Sequence, residues 1–321
     1  MPDSLRVLKR LGVDIAMDQA FAFRGIRFVD ESCSVAASFP AGSGIGVRRI
    51  RLHRLLIDRA IDLGVRMLWG AHVTGARDNS VSVAGQEIPC RWVIGADGQN
   101  SRVRCWAGLE SARSESRRFG FRRHYRVAPW SDSMEIYWGP DHQVYITPVG
   151  PEEICVALLT RDSHKRVDEA LPCFPELHRR LAGAVLVSSE RGAVTVSRRL
   201  DQIFRGSIVL IGDASGSVDA ITGAGLCLSF QQALSLADAL AAGDLRAYQS
   251  AHRRMFRRPV FMQHLMLSLD GSAGLRRRVL QALSSKPEIF ANLVAMHVGD
   301  LSFPDFISGA MLPLGWRVLS A

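Results

Sequence analysis

The chain has 321 residues, 47% of them apolar, and a formal net charge of +9. That length suits one large domain or two lobes with a proper hydrophobic core, and the composition is that of a globular protein. Only Lys9, Lys165 and Lys286 are lysines; the other positive charges are scattered arginines with no aromatic-interleaved motif, which argues against a nucleic-acid-binding face.

In chain order, Ser4 to Met17 has Leu5, Leu8, Leu11 and Ile15 at helical spacing and predicts an amphipathic helix. A strand-like segment, Gly25 to Ser38, leads to a glycine-rich turn at Gly42, Gly44 and Gly46, and Arg51 to Asp62 repeats the helical period before Gly64. Val65 to Trp69 and His72 to Ala76 are short strand candidates. Val81 to Val83 and Gln86 to Cys90 form a hairpin, and Trp92 to Ala96 is a buried strand that ends in Asp97-Gly98. From Cys105 to Val196 the texture changes to alternating, aromatic-containing strands (Gly120 to Val127, Met134 to Trp138, Gln143 to Thr147, Ile154 to Leu159, Ala193 to Val196). A helical stretch, Arg166 to Leu181, interrupts them. Such a block predicts an antiparallel sheet packed as a second layer. Ser207 to Ile211 is again a buried strand, ending in Gly212-Asp213-Ala214; a helix follows from about Gly223 to Leu240, and Leu245 to Ala321 reads as mostly helical.

Six cysteines form no C-x-x-C pair and stand near no spaced histidine pair, so no metal site is expected. No run approaches the roughly 20 apolar residues that a spanning helix needs, and no charged leader with an apolar core opens the chain. The expected compartment is the cytoplasm. A membrane-surface role for the Arg-, Leu- and Met-rich C-terminal part is the weaker alternative to a helix packed on its own domain.

The chemistry concentrates in two turns. A buried parallel strand that delivers an Asp at its C-terminal end places a carboxylate at the crevice where α/β sheets bind ligands. After Asp213, the run Thr222-Gly223-Ala224-Gly225-Leu226 opens a helix, so backbone N–H groups and the positive end of the helix dipole face whatever Asp213 orients. Either turn alone is commonplace; their order, with a β-rich insert between them, is specific.

On these residues the chain resembles the FAD-dependent monooxygenases of the para-hydroxybenzoate hydroxylase type and the related geranylgeranyl reductases. Ala96-Asp97-Gly98 with Ser101 and Arg104 is similar to that family's A-D-G-x-x-S-x-v-R motif. Gly212-Asp213-Ala214 through Gly223-x-Gly225 is similar to its G-D-A motif, and Arg49 with Leu52 and Leu56 to its R-x-x-L-x-x-x-L helix start. The resemblance implies FAD as cofactor, held by Arg49, Asp97, Gly98, Gly212, Asp213, Gly223, Ala224, Gly225 and Leu226, with NAD(P)H as electron donor. Tyr137 and Tyr145 are the expected substrate-facing residues; His124 and His142 are candidates by location alone, and no catalytic acid or base is assigned.

The implied fold is α/β: an FAD/NAD(P)-binding Rossmann-like domain with an inserted antiparallel β-sheet substrate domain and C-terminal helices. The expected boundaries are residues 1–104 with 197–245 for the FAD-binding domain, 105–196 for the insert and 246–321 for the helical region. The implied function is an FAD-dependent oxidoreductase, first a monooxygenase using NAD(P)H and O2 on an apolar or aromatic small molecule. The alternative is a reductase of an unsaturated, isoprenoid-like substrate, favoured by Gly216 where the hydroxylases carry His and by Ile221-Thr222-Gly223. The family's opening strand, Gly-x-Gly-x-x-Gly loop and helix have no counterpart in the sequence. The FAD-binding domain is therefore expected to be N-terminally truncated, with either the missing unit encoded upstream or the chain a flavin-free remnant acting in binding. Nothing in the sequence speaks to oligomeric state.

Overall fold

Strands in the middle of the chain alternate in polarity and follow one another closely, so each pairs most readily with its neighbour in sequence. The computed structural model describes residues 1–110 and 112–307. Its principal elements are helix α1 (Pro2–Arg10), strands β1 (Gly25–Val29) and β2 (Ser34–Ser38), helix α2 (Arg49–Asp62), strand β3 (Val93–Gly95) and the short helix α3 (Arg102–Trp106). Strands β4 (Ala112–Arg126), β5 (Ser133–Trp138), β6 (His142–Gly150) and β7 (Glu153–Thr160) follow, then helices α4 (Val167–Ala170) and α5 (Pro175–Leu181). Strands β8 (Arg191–Leu200), β9 (Phe204–Arg205) and β10 (Ile208–Leu210) lead to helices α6 (Gly225–Ala242), α7 (Leu245–Gly271), α8 (Ala273–Ser285) and α9 (Pro287–His297).

These elements form two units. The first comprises residues 1–57, 118–194 and 261–321; the second comprises 58–117 and 195–260. This division differs from the expected boundaries at both ends of the chain, for a physical reason. β1 pairs in parallel with β5 and antiparallel with β2, which extends the sheet of the predicted insert. Phe28 of β1 packs on Trp138 of β5 and on Phe290 of α9 at centroid distances of 5.7 and 4.9 Å, so the N-terminal strands and the last helices share one core with the insert. Asp270, at the end of α7, accepts hydrogen bonds from Arg118 and Gln143 of the same sheet. Across the opposite face, Val167, Leu171, Phe174 and Leu177 of the α4–α5 region cover Tyr137, Val144, Ile146 and Val156. The helix expected over Arg166 to Leu181 is broken because Pro172 and Pro175 lack the N–H that an interior position needs.

The second unit contains the two strands of interest. β10 is fully buried and runs parallel to β3, with Ile208 opposite Val93, Val209 opposite Ile94 and Leu210 opposite Gly95. β9 lies on the other side of β10, so β3 is an edge of this three-stranded sheet, and Ile94 is 45% exposed. A separate antiparallel meander is formed by Val73–Arg77, Ser80–Val83 and Gln86–Pro89. Val65 to Trp69, expected as a strand, has no strand structure, and Val65, Leu68 and Trp69 are exposed. The C-terminal part is helical as far as it is described; residues 308–321 lie outside the described residues. Among the described residues no helix is long and apolar enough to cross a membrane, and no cluster of His, Cys, Asp and Glu could hold a metal ion.

Candidate functional site

Because β3 and β10 are parallel neighbours in register, their C-terminal ends coincide, and the two carboxylate turns emerge side by side. The site they build lies within the second unit.

In the first turn Asp97 is exposed, and its carboxylate is engaged by the residues that follow it. Oδ1 accepts from Ser101 Oγ at 2.6 Å, and Oδ2 accepts from the amides of Arg102 and Val103 at 2.8 and 3.1 Å. Burial pushes this carboxyl pKa up, but the bonds from Ser101 and from the Val103 and Arg102 amides hold it below the ordinary value. Ser101 Oγ in turn accepts from the Arg104 amide at 2.9 Å. Asp97 and Ser101 thus cap α3 together, satisfying amides that open a helix without partners.

Arg104 joins the turns. It is 2% exposed, and its guanidinium donates to the carbonyls of Ala214 (3.1 Å) and Gln99 (3.0 Å) and to Glu110 Oε1 (3.1 Å). The second turn is fastened again from behind. The Gly212 amide donates to Gln232 Oε1 at 2.6 Å, Ser215 Oγ donates to the Gly212 carbonyl at 2.8 Å, and Tyr248 Oη donates to the Leu210 carbonyl at 3.0 Å. Asp213 itself is exposed at the tip of this turn.

The segment from Ala220 completes the cradle. Asp219 accepts from the Ile221 amide at 3.0 Å and from Ser116 Oγ at 2.7 Å, and Gly223 sits in the left-handed region at φ +62°, the conformation its sequence position requires. Helix α6 then begins with Ala224 as the residue before its first turn and with no side-chain cap. A Cβ added at Gly98, Gly223 or Gly225 would meet nothing within 4 Å. An uncapped helix N-terminus, an exposed carboxylate and open space beside three glycines can receive a flat, hydrogen-bonding group that gains negative charge.

Of the predicted cofactor residues, Asp97, Gly98, Gly212, Asp213, Gly223, Ala224, Gly225 and Leu226 all belong to this unit. Arg49 belongs to the other unit, where it is exposed on the first turn of α2. Its neighbours Arg48 and Arg51 line an open groove of about 410 Å³ together with Arg126 and Glu153. The two predicted substrate tyrosines are not brought together. In the β5–β6 register Tyr137 stands opposite Val144, and Tyr145 opposite Ile136, so their side chains leave opposite faces of the sheet. Tyr137 is a core residue: its ring packs on Phe174 at 5.6 Å, and Oη donates to the buried Glu135 at 2.9 Å. His124 is buried with its ring against Ser188 Oγ, and burial, then Arg48 and Arg122, lower its pKa to about 4. His142 is fully buried beside Phe174.

Residues 47–250 match the family described as FAD binding domain. The chain belongs to the FAD binding domain family. This chain is 29% identical over 230 residues to digeranylgeranylglycerophospholipid reductase 2 of Methanothermobacter thermautotrophicus, covering 64% of this chain and 55% of that protein. It is 26% identical over 203 residues to the digeranylgeranylglycerophospholipid reductase of Methanococcus vannielii, covering 58% and 52%. The chain thus spans about half the length of these relatives. Among solved structures, HpxO of Klebsiella pneumoniae in complex with FAD is 18% identical with a TM-score of 0.77, over 92% of this chain and 87% of that one. A 2-methyl-3-hydroxypyridine-5-carboxylic acid oxygenase is 21% identical with a TM-score of 0.70, over 92% and 83%. These two likenesses are of fold. The FAD-binding-domain match begins before Arg49 and ends in α7, so it takes in both carboxylate turns.

The residues fit a bound FAD in that a Cβ at Gly98, Gly223 or Gly225 would stand in open space. Sequence reading missed Gln232, Ser215, Tyr248 and His252 as supports of this FAD-binding-domain cradle. Apart from the Ser215 bond to the Gly212 carbonyl, their partners lie 17 to 38 positions away in the chain, and no local motif announces them.

Proposed function

We propose that this protein is an FAD-dependent oxidoreductase that reduces carbon–carbon double bonds of an apolar, isoprenoid-like substrate, with NAD(P)H as the electron source. The observation that carries the reading is the cradle of exposed Asp213, open glycines and uncapped α6 N-terminus, joined to sequence similarity with two reductases of a geranylgeranyl lipid. Bound FAD supplies two-electron transfer. With FAD bound, Asp213 would accept hydrogen bonds from its hydroxyl groups, and the Gly225 and Leu226 amides with the α6 dipole would favour negative charge on the part of the cofactor beside them. Arg104 keeps the two turns in fixed relation while this happens.

A second reading, monooxygenation, draws on the shared fold with an oxygenase. Gly216, which the sequence comparison with hydroxylases set against this reading, has a local reason of its own. Its φ is +131°, and a Cβ there would stand 3.0 Å from the Arg198 carbonyl, so the packing of this chain calls for glycine whatever the chemistry.

The test is direct. Purified protein is incubated with FAD, reduced anaerobically and given a polyprenyl lipid, and the product is weighed by mass spectrometry. Gain of two hydrogens per double bond supports reduction, and gain of one oxygen atom under air supports the second reading. Failure to retain flavin or quench its fluorescence overturns both and leaves a flavin-free binding protein.

A further inference from the structure

Three residues on one face of the first half of α7 back β10 and the second turn. Tyr248, His252 and Phe256, spaced by four, stack along the helix, with ring centroids 6.1 Å apart between the first two and 4.7 Å between the last two. Each meets a successive part of the strand and turn. Tyr248 Oη donates to the Leu210 carbonyl, His252 Nε2 lies 2.9 Å from Ser215 Oγ, and the Phe256 ring lies 3.6 Å from where a Gly216 Cβ would be.

The hydrogen-bond roles at the centre are assigned with the His252 tautomer that carries its proton on Nε2. The Gly212 amide donates to Gln232 Oε1, which fixes the orientation of that side-chain amide. Ser215 has one hydroxyl proton and two acceptors within reach, the Gly212 carbonyl at 2.8 Å and Gln232 Oε1 at 3.3 Å. His252 is buried, and with Nε2 protonated it donates to Oγ, leaving the hydroxyl proton for the nearer Gly212 carbonyl. Both polar groups of Gly212, the residue that precedes Asp213, are then held: the amide by Gln232 and the carbonyl by Ser215.

We propose that His252 is a positioning residue for the flavin cradle: through Ser215 it locks the Gly212–Gly216 turn that carries the exposed Asp213. It touches neither cofactor nor substrate. Its consequence for FAD rests on the function proposed above; the locking of the turn does not.

The test therefore has one readout without flavin and one with it. His252→Phe keeps the ring stack and removes the donor, Ser215→Ala removes the link, and His252→Gln restores a donor of similar reach. Hydrogen–deuterium exchange on the flavin-free protein is expected to quicken at least about tenfold in the Gly212–Gly216 amides of His252→Phe and Ser215→Ala. Peptides from α6 and from the remainder of α7 should exchange at the wild-type rate, and His252→Gln should recover much of the protection. Titration by flavin fluorescence is expected to show FAD affinity lowered at least about tenfold by the first two variants and less by the third. Unchanged exchange in the turn, or exchange that rises uniformly through the unit, overturns the proposal. If the wild-type chain binds no FAD, the proposed function falls, and the exchange contrast alone still decides the role of His252.

Discussion

Arg104 and Ala214 are joined across 110 positions of sequence by a hydrogen bond of 3.1 Å from guanidinium to backbone carbonyl. Through it, the helix that follows the first carboxylate turn holds the second. Arg104→Ala would leave the Ala214 and Gln99 carbonyls without their buried donor, at a cost of about 1 to 3 kcal/mol. Arg104→Lys should recover little of this, because an ammonium on a flexible stem cannot reproduce the planar fork that reaches both carbonyls and Glu110. Urea unfolding of the two variants checks this; a lysine variant as stable as wild type would show that one contact suffices.

Gly225 separates cofactor fit from folding. It opens α6, where alanine is the better helix former, so Gly225→Ala should stabilise the protein by about 0.5 to 1 kcal/mol. Gly225→Val puts its branches into the open space beside the turn and should weaken FAD at least about tenfold, or about 1.4 kcal/mol. Thermal unfolding and flavin titration on the same samples give the comparison. Parallel changes in both would mean that the space is not where flavin sits.

Tyr137→Phe tests a residue that the sequence assigned to substrate. Its hydroxyl serves Glu135, which also accepts from Trp130 Nε1 at 2.9 Å and pairs with Arg27 at 3.6 Å. Loss of that donor should cost about 1 to 2 kcal/mol of stability. KM for the substrate should stay at its wild-type value, and a selective rise in KM would restore the original assignment.

Acid should destabilise the fold in a defined window. Burial, aided by neighbouring arginines, lowers His124 and His252 from 6.5 to about 4 in the folded chain. Between those values the unfolded state binds more protons, so stability falls as pH drops from 6.5 towards 4, by about 1.4 kcal/mol per pH unit for each histidine. Denaturant midpoints across that window measure the slope, and His252→Gln should remove about half of it. A slope unchanged in that variant would mean that His252 does not titrate there.

Much of the cradle is legible in sequence because it is local. A β-branched run ending in Gly-Asp-Ala states both the buried strand and its turn, and the glycines of 223–225 follow within one helix start. The supports are another matter. His252 sits on a helix whose arginines dominate its pattern, and Gln232 is an unremarkable polar residue until the fold buries it completely. The unit boundaries escaped for the same reason: Gly25 to Val29 reads as an ordinary strand, and only its parallel register with Ser133 to Tyr137 assigns it to the sheet of the central block. The break at Pro172 and Pro175, by contrast, is written in the sequence, beneath an apolar period that reads as one continuous helix. Tyr137 and Tyr145 illustrate the limit of spacing arguments across a hairpin, where one step of register sends a side chain to the other face.

The bonds that the Asp97 carboxylate accepts from its own turn fix its charge state. With one oxygen on Ser101 and the other on two helix amides, the carboxylate is held ionised by the turn that carries it. Its acceptors are committed to the first turn of α3, and the negative charge that remains favours hydrogen-bond donors and cations over anions beside Gly98.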